Sequence, residues 1–196
     1  MTCIVGWVDK NKDVYLGADS YATSNHNTLV LDTNKVFRNG SFIFGGCGSY
    51  RLLNVLEYSF KEPKRKANIS DMDYLYNYFI TSIIKLLTKE KCLKEKEKIA
   101  GLDGAVILFG YKGNLYGLDD DLQINKTFKH FRVTGCGQDF AGGAIHAIKD
   151  VDISIEEKLL TGLRIASIYN NTVGSPFHII KMSKGGVFKR FPIYKE

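Results

Sequence analysis

Proline is scarce, with 3 residues in a chain of 196, and 19 glycines are too few for a collagen-like repeat, so low-complexity and fibrous architectures are excluded. The 4 cysteines (Cys3, Cys47, Cys92 and Cys136) are too scattered for a CxxC zinc or redox pair, which fits a reduced, cytoplasmic setting. No apolar run approaches the ~18 residues of a membrane span. The opening MTCIVGWVDK also lacks the basic and hydrophobic regions of a secretion signal, so no membrane partner is expected. The four histidines, His26, His130, His146 and His178, stand at no ligand spacing with one another or with a cysteine, so no metal is called for. There is no GxSxG elbow, and Asp119–Asp121 reads as a hairpin turn because no calcium-binding loop continues from it.

Charge is modestly positive, +6 from 27 Lys and Arg against 21 Asp and Glu. Much of the excess lies in Lys61–Lys66 and in Lys89–Lys98, where acids and bases alternate as on a solvated helix face. No basic stripe interleaved with aromatics accompanies it, so nucleic acid is not an expected partner. What the chain does have is 44% hydrophobic and 12% aromatic residues, enough for one globular domain over residues 1–196 without a disulfide or metal staple.

Periodicity orders the elements. Thr2–Val8 and Asp13–Ala18 form a β-hairpin around the turn DKNKD, followed by a polar loop (Tyr21–Asn27), a strand pair around Leu29–Phe37, an Asn39–Gly40 turn and a strand at Ser41–Gly45. Ser49 caps a helix to Phe60, and Ser70 and Asp71 cap a longer one carrying Leu75, Phe79, Ile83, Ile84 and Leu87. Four strands follow (Gly104–Phe109, Asn114–Leu118, Leu122–Asn125, Phe131–Thr134), then helices over Gln138–Lys149 and Ser154–Tyr169 and a closing pair, Phe177–Met182 with Gly186–Phe191. Strands and helices come in blocks, so the expected class is α+β with antiparallel sheets. Two helix pairs need two sheet faces, and a four-layer αββα sandwich supplies them.

Gly-Cys-Gly occurs twice between a strand and a helix, at Gly46–Gly48 and Gly135–Gly137, where exposed amides suit an anion, a developing oxyanion or simply a tight turn. Thr2 follows Met1. Removal of Met1 would leave a hydroxyl and a free α-amine on one residue, and an α-amine has an ordinary pKa of about 7.7–8.0, suited to acting as a base near neutrality.

The segment MTCIVGWVDKNKDVYLGADSYAT resembles the start of proteasome β subunits and their bacterial relatives, including the heat-shock-locus peptidase. The resemblance extends over nearly the whole chain and implies the αββα sandwich of the N-terminal nucleophile hydrolases. It assigns the nucleophile to Thr2, the acid closing the second strand to Asp19 and the lysine preceding a valine to Lys35. The oxyanion amide falls to Gly48, or to Gly46 if the gap is set differently, and Ala22 and Cys47 fall near the specificity pocket. Three positions depart from the family pattern: Cys136 and Gly174 stand where it has Ser, and Asn171 where it has Asp. Asn orients but carries no charge.

The resemblance further implies a threonine peptidase that needs no metal or organic cofactor and cleaves peptides or unfolded proteins, enclosed in a homo-oligomeric ring and served by a separate AAA+ ATPase unfoldase. Two other readings follow from the same residues. The changed positions suggest a catalytically silent assembly subunit, and the same nucleophile would also serve an amidohydrolase acting on small amides.

Overall fold

The computed structural model describes residues 2–24, 27–96, 99–128 and 130–195. Met1 and His26, and Glu97 and Lys98 of the charged run, lie outside them. The chain opens with β1 (Cys3–Val8), β2 (Val14–Ala18), β3 (Tyr21–Ser24), β4 (Asn27–Val30), β5 (Val36–Asn39) and β6 (Phe42–Cys47). Helix α1 (Tyr50–Tyr58) follows, then α2 (Asp71–Tyr74), which runs through a π-helical turn (Leu75–Phe79) into α3 (Ile80–Lys89). Next come β7 (Lys94–Lys96), β8 (Ile99–Gly101), β9 (Val106–Tyr111), β10 (Asn114–Leu118), β11 (Ile124–Lys126) and β12 (Phe131–Gly135). Helices α4 (Gln138–Ile148) and α5 (Ile155–Tyr169) precede β13 (His178–Met182) and β14 (Phe188–Arg190).

Two antiparallel five-stranded sheets carry the fold, ordered β12-β1-β2-β13-β14 and β11-β10-β9-β6-β5. Between them lie Ile4, Leu16, Val36, Ile43, Leu108, Leu115 and Ile180. The outer face of the first sheet, with Cys3, Val5 and Trp7, packs on Ala141, Ile145, Leu159 and Leu163 of α4 and α5. The outer face of the second packs Phe42, Phe44 and Phe109 on Leu52, Leu56, Phe79 and Ile83 of α1 and the long helix. This is the expected αββα sandwich. Strands β1 and β2 are covered on both faces, which is why they read as almost unbroken apolar runs.

Two stretches differ from the sequence expectation. The supposed loop Tyr21–Asn27 and the strand pair around Leu29–Phe37 are instead a separate hairpin, β3 with β4, after which β5 pairs with β6. All of β4 is exposed, so it shows no apolar alternation to read. In its described part, as far as Lys96, the charged run does not continue the helix either. The long helix ends at Lys89, Lys91 takes a positive φ of 54°, and β7 pairs with β8. Alternating charge fits a period of two as well as a solvated helix.

Candidate active site

The site forms where the β1–β2 hairpin meets β12 and the start of α4. Thr2 sits immediately before β1 and is only 3% exposed. Cys3 on β1 faces Gly135 on β12, which places the second Gly-Cys-Gly turn against Thr2. The Thr2 N–H donates to Cys136 Sγ at 3.2 Å, and the Thr2 carbonyl accepts from Cys136 Sγ at 3.3 Å and from the Gly137 N–H at 3.5 Å. Gly135 has φ +94°, and a Cβ there would lie 2.2 Å from the Thr2 oxygen. The glycine permits this approach.

Asp19 closes β2 and is fully buried. Its Oδ1 accepts from the Cys3 N–H at 2.9 Å and from Lys35 Nζ at 2.7 Å, and its Oδ2 from the N–H groups of Tyr21 at 3.1 Å and Gly174 at 3.4 Å. Four donors fill the acceptor capacity of a carboxylate. One oxygen therefore ties Lys35 to the peptide N–H that follows Thr2. Lys35 Nζ also donates to the Tyr21 carbonyl at 2.7 Å, which accepts the Tyr50 hydroxyl at 3.1 Å, and the ammonium lies 5.9 Å from the Tyr50 ring centroid. Burial pushes the Lys35 pKa down while Asp19 opposes the shift, and burial together with Asp19 pushes the Tyr50 phenol up.

Gly48 leaves β6 with φ +106° and packs so closely on Ala105 that a Cβ would lie 2.6 Å from the Ala105 Cβ. Ser49 then caps α1, accepting the Leu52 N–H. Of the two amides that the sequence left open, the Gly46 N–H donates to the Lys35 carbonyl at 3.3 Å, whereas Gly48 is exposed to solvent. Cys47 reaches Thr134 Oγ1 at 3.7 Å, and its Cβ is 3.5 Å from a Cβ built on Gly135, so it borders the Thr2 turn. Ala22 is half-buried on β3 opposite Leu29.

At the end of α5 the sequence expectation shifts by one residue. Asn171 is exposed and lines a surface depression with Tyr21, Ser167 and Gly174. The contacts to Cys136 come from its neighbours: Asn170 Nδ2 donates to the Cys136 carbonyl at 2.9 Å, and Thr172 Oγ1 lies 3.1 Å from Cys136 Sγ. Gly174 offers no side chain because the Tyr21 ring fills that space; a Cβ would fall 2.2 Å from it. Asn170, Thr172, Tyr21 and Tyr50 are the site residues that sequence reasoning missed. Asn170 alone left a signal, as a polar residue capping α5 where the helical pattern stops.

No group of three or more His, Cys, Asp or Glu able to hold a metal occurs among the described residues, and none of their helices is long and apolar enough to cross a membrane.

Sandwich, strand order and helix placement together define the fold of the proteasome-type N-terminal nucleophile hydrolases. Solved structures with this fold include Thiobacillus denitrificans BPH in complex with Epoxomicin, with a TM-score of 0.71 at 18% identity, covering 92% of this chain and 98% of that one. Eukaryotic HslV from Trypanosoma brucei gives 0.65 at 18% identity over 93% and 99% of the two chains. The Anbu (Gly-1) mutant from Hyphomicrobium sp. strain MC1 gives 0.70 at 11% identity over 99% and 87%. No protein-family model and no curated protein matches the sequence.

Proposed function

We propose that the protein is a threonine-type peptidase whose nucleophile is Thr2, exposed by removal of Met1. The observation that carries this reading is the enclosure of Thr2 between two one-sided supports: Cys136 holds its nitrogen and carbonyl, and the buried Asp19–Lys35 pair anchors the peptide that follows. In the reaction, the freed amine takes the Oγ proton and Oγ attacks the scissile carbonyl. The oxyanion is stabilised by the Gly48 N–H, and collapse to an ester expels the protonated amine product. Water then attacks the ester, giving up a proton to the Thr2 amine, and Oγ leaves as the hydroxyl. Lys35 supplies a positive charge that favours ionisation of Oγ, and Asp19 holds it in place.

Peptides or unfolded chains are the proposed substrates, and the proposed setting is a cytoplasmic homo-oligomeric ring fed by an AAA+ unfoldase. Enclosure would give a nucleophile of low selectivity its specificity by access. The test compares wild type with Thr2→Ala for hydrolysis of fluorogenic peptides, after mass spectrometry of the N-terminus. Loss of Met1, Thr2-dependent turnover and inhibition by Epoxomicin are expected. Retained Met1, or equal activity of the two proteins, refutes the proposal.

A further inference from the structure

We propose that Thr172 is a positioning residue that draws the Cys136 thiol proton away from the Thr2 nitrogen, so that a sulfur lone pair faces that nitrogen. The catalytic consequence rests on the reading of Thr2 as an N-terminal nucleophile; the hydrogen-bond polarity does not.

The polarity follows from partners that act in one direction only. Asn170 Nδ2 donates at 2.9 Å to the Cys136 carbonyl, a group that only accepts, so the amide oxygen of Asn170 is the atom turned toward Thr172. That oxygen accepts the Thr172 N–H at 3.0 Å and the Thr172 hydroxyl at 2.6 Å. The single hydroxyl proton is used there. Thr172 Oγ1, 3.1 Å from Cys136 Sγ, therefore meets the sulfur with a lone pair, and the S–H is the donor. The Thr2 carbonyl, 3.3 Å away, is a second acceptor for the same proton. With the S–H so directed, sulfur accepts the Thr2 N–H at 3.2 Å.

After removal of Met1 this polarity leaves the amine lone pair available for the Oγ proton. Without the Thr172 hydroxyl, the S–H turns more readily to that lone pair and competes with Oγ for it. Sequence gives no warning of the arrangement, because Thr172 and Cys136 are 36 residues apart and meet only where the end of α5 packs beside the start of α4.

The test of the polarity is neutron diffraction from deuterium-exchanged crystals of the protein. The deuteron on Cys136 Sγ should point at Thr172 Oγ1, and the Thr172 hydroxyl deuteron at Asn170 Oδ1. A Thr172 hydroxyl deuteron directed at the sulfur overturns the polarity. Peptidase assays then read the consequence: Thr172→Val lowers kcat about tenfold with KM nearly unchanged, and the acidic limb of its pH profile moves to lower pH. Wild-type kcat and acidic limb in an active Thr172→Val enzyme overturn the positioning role. The expected deuteron positions in a protein without Thr2-dependent hydrolysis leave the polarity standing and remove the proposed function instead.

Discussion

Lys35 Nζ lies 2.7 Å from Asp19 Oδ1, and neither side chain has any exposed surface. Such a pair is costly to break from one side, because the remaining charge stays in a low-dielectric site without its partner. Asp19→Ala or Lys35→Met alone should lower the unfolding free energy by about 3–5 kcal/mol. The double variant should lose less than the sum, since neither charge is then left stranded. Urea denaturation of the two single variants and the double variant measures the coupling, and strict additivity would show that the two residues act independently.

The same pair sets a pH limit on the proposed activity. Burial lowers the Lys35 pKa from its ordinary 10.5 and Asp19 opposes that fall, so the ammonium loses its proton at lower pH than an exposed lysine would. If the cation supports Thr2, activity declines on an alkaline limb centred below 10.5. Asp19→Asn removes the opposing charge, leaves burial unchecked and moves that limb to lower pH. A pH profile of kcat/KM for both enzymes checks the direction, and a limb that moves upward contradicts it.

His178 predicts a separate pH dependence, in stability. It is buried at the start of β13, its Nε2 makes no hydrogen bond among the described residues, and burial together with Arg190 lowers its pKa from 6.5 while Asp32 acts the other way. The unfolded chain therefore binds the proton more readily than the folded one, and stability rises with pH across this range. The sign is loss of stability as pH falls below about 6.5 toward the depressed folded value. Thermal melts between pH 7 and pH 5 should show this loss, and His178→Gln should flatten it; the same slope in the variant would assign the effect to other groups.

Sequence and structure agree best where burial imposes a strong period. The β1–β2 hairpin, covered on both faces, and the capped helices α1 and α5 were all legible. Asp19 and Lys35 were marked only by the family resemblance, and the structure brings them together at the peptide that follows Thr2. The polar β3–β4 hairpin was not, because an exposed ladder leaves no alternation. Asn170 and Thr172 escaped for a different reason. Their roles depend on how α5 ends against the Cys136 turn, 34 and 36 residues away, and a shift of one residue there separates exposed Asn171 from Asn170, which contacts Cys136. Tyr21 and Tyr50 likewise become site residues only when β3 and α1 converge on the Lys35 ammonium.

Gly135 and Gly186 separate backbone strain from placement of the nucleophile. Both have positive φ, +94° and +86°, so replacing either with alanine carries a similar conformational cost of about 1–2 kcal/mol. Their surroundings differ. A Cβ on Gly186 meets nothing within 4 Å, whereas one on Gly135 would fall 2.2 Å from the Thr2 carbonyl oxygen and 2.9 Å from its carbon. Those are backbone atoms, so the contact is relieved only by moving Thr2 or the turn that carries Cys136. A displacement of about 1 Å in a reacting group can cost on the order of a hundredfold in rate. Gly186→Ala should therefore lose a little stability and keep its peptidase activity, while Gly135→Ala should lose about a hundredfold in kcat beyond any comparable loss of stability. Parallel melts and peptide assays on the two variants make the comparison. Equal activity would mean that the contact between the Gly135 turn and Thr2 has no part in placing the nucleophile.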